Sequence, residues 1–199
     1  MAHGTDPDLP LVAALQAGDE RALDALMERH GEALFRFAHR YVGNAADARE
    51  VAQEAFVKAY FHIGTFRPGA FFSTWLYRIA LNLCRDRARS RTFRDARRTD
   101  SISAPFPADD GGRREDLELA ASAPDPADAL IRAERLEAVG EGIAALPPEL
   151  KAPFVLAALE GLSHEEAGLR LGLTAKAVEA KVYRARKLLS KRLAGTDVR

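Results

Sequence analysis

The sequence predicts an all-α protein of two small helical domains joined by a flexible linker. Apolar residues recur with the 3.6-residue period of an α-helix on both sides of the chain's middle. Between them, Pro, Ala, Asp, Ser and Gly dominate, and no helical period is sustained. We therefore expect an N-terminal helical bundle at 9–98, an acidic linker at 99–128 and a C-terminal helix-turn-helix domain at 129–194.

The formal net charge of zero conceals an uneven distribution of charge along the 199 residues. Residues 1–98 carry 15 basic against 12 acidic side chains, and residues 129–199 carry 12 against 9. Residues 99–128 carry 2 against 8. Because local patches rather than net charge bind polyanions, the two mildly basic flanks remain compatible with nucleic-acid binding.

Cysteine usage and hydropathy predict a protein of a reducing cytoplasm. Cys84 is the only cysteine, so neither an intramolecular disulfide nor a cysteine-based zinc cluster is possible, and we expect this thiol to be a small buried hydrophobe. The sequence shows neither a secretory leader nor an apolar run of about 18 residues, so no membrane insertion is expected.

Three helices are predicted before residue 62. Residues 1–7 are expected to fray, and a short helix then runs from Asp8 to a stop at Gly18. A longer helix ends at Gly43, and Asn44 resembles the cap of a third helix.

The third helix carries an acidic stripe opposite its alanine-rich buried face. Asp47, Glu50 and Glu54 recur at i, i+3 and i+7, and Gln53 lies beside them. This stripe would repel DNA, so it is either a solvated face or a surface for a basic protein.

The next segment combines an aromatic loop with a helix of two faces. The loop, Phe61 to Ala70, contains Gly64, Pro68 and Gly69, and is either held down by its own aromatics or forms a pocket for a planar group. On the helix, one face is apolar, and the other presents a polar stripe suited to a phosphate backbone and a stacked base. The stripe consists of Arg78, Asn82, Arg85 and Arg89, with Trp75 at its border.

The C-terminal part predicts a helix-turn-helix motif. Ser163 and Glu166 form a capping box, Gly172 lies in the turn, and Thr174 can cap the last helix. The buried stripe of that helix is predicted to be Val178, Val182, Ala185 and Leu189. The opposite face fits docking in a DNA major groove and presents Lys176, Ala180, Tyr183, Arg184 and Lys187.

In these features the chain resembles the extracytoplasmic-function sigma factors, the small promoter-recognition subunits of bacterial RNA polymerase. The resemblance rests on four segments in this order: DAREVAQEAFVKAY, FFSTWLYRIALN, LPPELKAPFVLAALEGLSHEEAG and VYRARKLL. It implies a region 2 domain, a region 4 domain and a function in transcription initiation. The genes transcribed are expected to be stress-response genes, and an anti-sigma factor is expected to control the protein. The implied partners are promoter DNA and the clamp helices and flap of core polymerase.

The resemblance also assigns roles to residues. Asp47, Gln53 and Glu54, with Glu50 of the same stripe, match the clamp-binding segment. The segment that captures a flipped base and opens the −10 element corresponds to Ile63, Gly64, Thr65, Phe66, Trp75, Arg78 and Asn82, with Arg85 and Arg89 following on the same stripe. The −35 reader corresponds to Thr174, Lys176, Glu179, Ala180, Tyr183, Arg184 and Lys187.

Lys176 and Glu179 depart from the family's usual pattern, which often has a small or hydroxyl residue and a basic residue there. Glu179 either accepts a hydrogen bond from a cytosine amino group or pairs with Arg186 or Lys176.

Two other functions were weighed. A stand-alone helix-turn-helix repressor would leave the aromatic loop unexplained. An enzyme would have to use His30, His39, His62 or His164, which lie on different elements without a matched nucleophile or metal spacing. We expect no catalytic residue, no metal and no cofactor.

Overall fold

The computed structural model describes residues 6–99 and 138–194, the side chains of residues 91–99 excepted. These ranges contain helices and no β-strand, as the sequence predicts. The predicted linker, apart from Thr99, lies outside the described residues, as does the start of the second predicted domain. The helices are α1 (Leu9–Gln16), α2 (Arg21–Val42), α3 (Ala45–His62), α4 (Phe72–Thr99), α5 (138–144), α6 (Pro148–Phe154), α7 (His164–Leu171) and α8 (Ala175–Ala194).

In the N-terminal half, α2, α3 and α4 pack against one another around a buried apolar core, and α1 packs on α2. Gly43 ends α2 in a left-handed conformation with φ of 85°, which a glycine adopts without strain. Asn44 then caps α3, because its Oδ1 accepts a 2.8 Å hydrogen bond from the Asp47 amide. Helix α3 continues through His62, which the sequence predicts to lie in the loop, because no helix breaker occurs before Gly64.

The expectation that residues 1–7 fray is wrong at its C-terminal end. Asp6 is 7% exposed and Asp8 is 2% exposed. Asp6 accepts backbone hydrogen bonds from Asp8 and from Phe72, the first residue of α4. These contacts hold the chain ahead of α1 against the start of α4.

The C-terminal half contains the predicted helix-turn-helix. The capping box of Ser163 and Glu166 is formed, and Gly172 ends α7 with φ of 67°. Thr174 Oγ1 accepts a 3.2 Å hydrogen bond from the Ala177 amide at the start of α8. The buried stripe of α8 is the predicted one.

Helix α6 contains a proline and continues as a wider helical turn. Pro153 lies inside it, where its ring removes a backbone N–H from the α-helical ladder. The next turn, Val155–Leu159, takes the wider π pattern, in which the Glu160 amide donates to the Val155 carbonyl at 3.0 Å.

The two halves are in contact through α4 with α7 and through α2 with the π segment. Glu160, just past the π turn, forms ion pairs with Arg40 at 2.8 Å and Arg36 at 3.5 Å, both on α2. The Arg170 guanidinium lies 4.7 Å from the centroid of the Tyr77 ring. The buried residues of both halves form one continuous cluster.

Lys151 is the one buried basic side chain among the described residues, and it lies at this junction. Its Nζ lies 4.8 Å from the centroid of the Tyr41 ring and donates to the Ala144 carbonyl at 3.2 Å. Burial lowers the pKa of Lys151 to about 8 and raises the pKa of the nearby Cys84 thiol to about 12.

We predict that Lys151→Met stabilises the fold by about 2 kcal/mol at pH 7, because the folded state no longer holds a buried charge. The lysine pKa is lower in the folded than in the unfolded chain, so the penalty is complete below pH 8 and disappears as the pH rises. The difference in unfolding free energy between variant and wild type should therefore shrink from pH 7 to pH 9.5 in urea titrations. Burial keeps the folded Cys84 thiol protonated over this pH range with or without the lysine, so its own titration nearly cancels. A difference independent of pH would contradict the prediction.

Gly168 allows the close approach of α7 to the following turn. A Cβ at this position would lie 2.6 Å from the carbonyl oxygen of Leu173. We predict that Gly168→Ala destabilises the protein by about 2 kcal/mol, seen as a lower melting temperature. Gly140→Ala in α5 is the matched control: its Cβ would meet nothing within 4 Å, so it should be neutral or stabilising. Equal effects of the two substitutions would disprove the steric explanation.

Candidate nucleic-acid interface and acidic partner surface

The acidic stripe lies on the outer face of α3. The side chains of Asp47, Glu50 and Glu54 are 26%, 58% and 40% exposed. Gln53 is exposed beside them and lines a shallow groove between α2 and α3. This apolar groove has acidic edges at Glu20 and Asp24, and its apolar lining residues include Leu23, Met27, Phe56, Val57 and Phe61. The surface therefore suits a basic amphipathic segment of a partner protein.

Arg87 of α4 lies against this stripe, a contact that periodicity alone does not reveal. Its guanidinium bonds to Glu50 and lies 3.5 Å from Asp47 and 3.9 Å from Glu54. The hydrogen bond that Arg87 donates to Glu50, together with the charges of all three carboxylates, raises the pKa of Arg87 above its usual value. Part of the negative charge of the stripe is therefore already balanced within the chain.

Three aromatic rings form a cluster where the loop meets α4. The centroids of Phe66 and Trp75 are 5.7 Å apart, and those of Phe72 and Trp75 are 5.9 Å apart. Phe66 and Phe72 are buried, whereas Trp75 is partly exposed. The Phe66 ring is thus part of the support beneath the loop, and the indole is the ring of this cluster available to a ligand.

The loop that precedes α4 begins as a single 3₁₀ turn, Ile63–Thr65. Ile63 is buried, whereas Gly64 and Thr65 are exposed. The Thr65 hydroxyl donates to the His62 carbonyl at 2.7 Å, which fixes the turn against the end of α3. The exposed backbone of the turn is consequently presented beside Trp75.

A cleft of about 280 Å³ lies between the end of α3, the 3₁₀ turn and α4. It brings together Thr65, Trp75 and Asn82, three of the residues predicted for the −10 site. An indole face, an amide and a hydroxyl in one cleft can stack on a base and hydrogen-bond its edge. Five further residues, none of them among the predicted site residues, also line the cleft: Lys58, His62, Ile79, Leu83 and Asp86.

Helix α4 separates its faces as predicted. Leu76, Ala80 and Leu83 are buried, while Ile79 is partly buried. The opposite stripe is exposed along its described length and consists of Arg78, Asn82, Arg85 and Arg89. The basic face therefore continues directly from the cleft along the helix.

The predicted reading face of α8 is exposed. All seven of its predicted DNA-contacting residues are exposed, and Tyr183 is 68% exposed. The exposed residues are Thr174, Lys176, Glu179, Ala180, Tyr183, Arg184 and Lys187. A capped helix with an accessible N-terminal half and basic residues behind it has the form of a major-groove reader.

Comparison with known proteins gives the family. Models of sigma-70 region 2 and sigma-70 region 4 match residues 26–94 and 136–189. The ECF RNA polymerase sigma factor SigW of Bacillus subtilis is 30% identical over 92% of this chain and 94% of its own length. The chain belongs to the extracytoplasmic-function sigma factors. It is a promoter-recognising transcription initiation factor.

Other relatives match the sigma factor along nearly its whole length. The RNA polymerase sigma-H factor of Pseudomonas aeruginosa is 34% identical over 94% of both chains, and CnrH of Cupriavidus metallidurans is 35% identical over 93% of both. The structure of CnrH in complex with the cytosolic domain of CnrY matches with a TM-score of 0.64 at 29% identity, covering 96% of this chain and 99% of that one. Sigma factor RpoE of Bartonella quintana, with a TM-score of 0.56 at 20% identity over 86% and 96%, has the same fold.

His30 and His39 are engaged in the fold, the first with Asp8 and the second stacked on Phe35. Within residues 6–99 and 138–194, no group of three His, Cys, Asp or Glu side chains could hold a metal ion. Over the same ranges, no helix has the length and apolar character needed to cross a membrane.

Proposed function

We propose that this sigma factor binds core polymerase through the acidic stripe of α3 and captures a base of the −10 element in the cleft beside Trp75. The observation that carries the proposal is the convergence of Thr65, Trp75 and Asn82 in one cleft that opens onto the basic face of α4. Extruding a base costs a few kcal/mol of unstacking, so a site for it needs a stacking surface and polar contacts.

The exposed arginines of α4 complete this proposal. Arg78, Arg85 and Arg89 lie on the same side of the helix as Asn82 and are available to phosphates of the displaced strand. They position the strand, and the cleft selects the base. Opening of the duplex is thereby coupled to a contact that exists only once the base has left the stack.

The second DNA contact in the proposal is made by α8 at the −35 element. Residues near its N-terminus, Lys176, Glu179 and Ala180, face the base edges, while Arg184 and Lys187 contact phosphates. An exposed glutamate at position 179 can accept a hydrogen bond from the amino group of cytosine. Glu179 is therefore proposed to favour cytosine in the −35 sequence.

We also propose that an anti-sigma factor controls this protein in the cytoplasm, where polymerase is located. Two matched sigma factors have been solved as complexes, CnrH with the cytosolic domain of CnrY and RpoE with the anti-sigma factor NepR. The acidic surface on α3 and the groove between α2 and α3 are the features available to such a partner. The chain itself is proposed to carry no catalytic step, which belongs to the polymerase.

Run-off transcription with purified core polymerase on a pool of genomic promoters tests the function as a whole. Transcripts should appear only when this protein is added, and their start sites should share −10 and −35 sequences. Tight sequence-specific binding of duplex DNA by the isolated protein, without association with polymerase, would instead support a repressor.

We predict that Glu50→Lys weakens binding to core polymerase by at least about tenfold at low salt, since it replaces attraction for a basic surface with repulsion. Glu28→Lys makes the same charge change at an exposed position of α2 outside the stripe and should leave the affinity nearly unchanged. Fluorescence anisotropy of the labelled sigma factor against core polymerase measures both. Equal losses for the two variants would remove the stripe from the interface.

We predict that Asn82→Ala lowers transcription from a duplex promoter by about five- to tenfold, the effect of losing roughly 1 kcal/mol of hydrogen bonding. Binding to core polymerase and the melting temperature should be unchanged, because Asn82 is exposed. A promoter with a pre-melted −10 region should restore most of the activity. The prediction fails if the variant is equally impaired on duplex and pre-melted promoters.

A further inference from the structure

We infer that the N-terminal segment from Asp6 to Gln16 is a positioning element for the base cleft, holding the first turn of α4 and the 3₁₀ turn in place through side chains that never touch DNA. The inference rests on the proposed function for its consequence in promoter opening. The contacts of Asp6, Asp8 and Gln16 support it.

Asp6 caps helix α4 from outside that helix. Its Oδ2 accepts a 2.6 Å hydrogen bond from the Phe72 amide, although 66 residues separate the two in sequence. Its Oδ1 accepts a 3.0 Å hydrogen bond from the Asp8 amide. Phe71, the residue just before α4, has no side-chain acceptor, so the buried carboxylate of Asp6 supplies what a Ser, Thr or Asp would supply locally. Its negative charge also lies at the positive end of the helix dipole.

Asp8 fixes the ring that packs on Phe72. Its Oδ2 lies 2.7 Å from Nε2 of His30, and its Oδ1 bonds to the Arg29 guanidinium. The His30 ring centroid is 5.7 Å from that of Phe72, whose other neighbours in the cluster are Phe66 and Trp75. Asp8 therefore fixes the His30 ring, which packs on Phe72, and Phe72 in turn packs on the indole of the cleft.

Gln16, the last residue of α1, holds the turn on the other side of the cleft. Its Nε2 donates to the Ile63 carbonyl at 2.8 Å and lies 3.4 Å from the Phe66 carbonyl. These carbonyls flank Gly64 and Thr65, the exposed part of the turn. Without Gln16, the described contacts leave this turn attached mainly through Ile63 and Phe66, which are buried.

The three contacts converge on two of the elements that line the cleft, the 3₁₀ turn and α4. Trp75 is in the first turn of α4, where its amide donates to the Phe71 carbonyl at 3.2 Å. If the cap at Asp6 is lost, this turn frays first, and the indole loses its fixed position. A cleft that is already formed before the base arrives binds it without an ordering penalty, so pre-organisation by this segment favours strand opening.

Trp75 provides the readout, because it is the only tryptophan of the chain. In Asp6→Ala we expect a shifted emission maximum and easier quenching of Trp75 by acrylamide. With core polymerase, transcription from a duplex promoter should fall about fivefold, with a smaller loss on a pre-melted promoter and unchanged polymerase affinity. Asp6→Asn keeps one strong acceptor, so its Trp75 fluorescence and its transcription should lie between those of wild type and Asp6→Ala. Gln16→Ala, an exposed position, should perturb the same readouts without loss of folding.

The matched control is Asp19→Ala. Asp19 Oδ1 accepts a 3.1 Å hydrogen bond from the Arg21 amide at the start of α2, at an exposed site away from the cleft. It should lower stability slightly without changing Trp75 fluorescence or the ratio of transcription from the duplex promoter to transcription from the pre-melted promoter.

The inference is overturned if Asp6→Ala and Gln16→Ala leave both the fluorescence and this ratio at wild-type values, or if every variant loses activity on all templates only in proportion to its stability. If wild type fails to transcribe with core polymerase, the proposed function fails, whereas the fluorescence of the variants still decides the positioning role.

Discussion

Helix α4 imposes the constraint on which the rest of the structure depends, because its two faces need different surroundings. Leu76, Ala80 and Leu83 have to be covered by α2 and α3, whereas Arg78 and Asn82 have to remain in water. The apolar core can cover only one side of such a helix. The surface proposed for the −10 DNA is therefore the face that folding leaves uncovered, and its position is fixed by the packing of the buried face.

Arg87 connects this helix to the acidic stripe on α3, and so links the two proposed surfaces. Exposed ion pairs each contribute little, but three carboxylates around one guanidinium hold α3 and α4 in a fixed relation. A basic partner that binds the stripe must share or displace Arg87. At the proposed interface, polymerase would therefore act on the same side-chain network that supports the helix proposed to face DNA.

Local periodicity and capping predicted the helices well, because those signals lie within a few residues of each other. The buried stripe of α8, with Val178 and Val182, and the capping box at Ser163 are examples. Contacts across the chain were not predictable in this way. The cap of Asp6 on Phe72 spans 66 residues, and the expectation of a frayed terminus missed it. Asp86 in the cleft was missed for the same reason: the 3.6-residue period gives its side of the helix but not what faces it.

The contact between the two halves combines a continuous apolar cluster with weaker polar contacts. Its polar part consists of partly exposed ion pairs at Glu160 and a cation–π contact between Arg170 and Tyr77, each contributing about 1 kcal/mol or less. Lys151, buried at the same junction with a lowered pKa, opposes the contact at neutral pH. None of the residues proposed to read DNA on α8 takes part. Both proposed reading surfaces, the polar stripe of α4 and the outer face of α8, therefore stay uncovered while the halves are in contact, as a protein that binds two separated DNA elements requires.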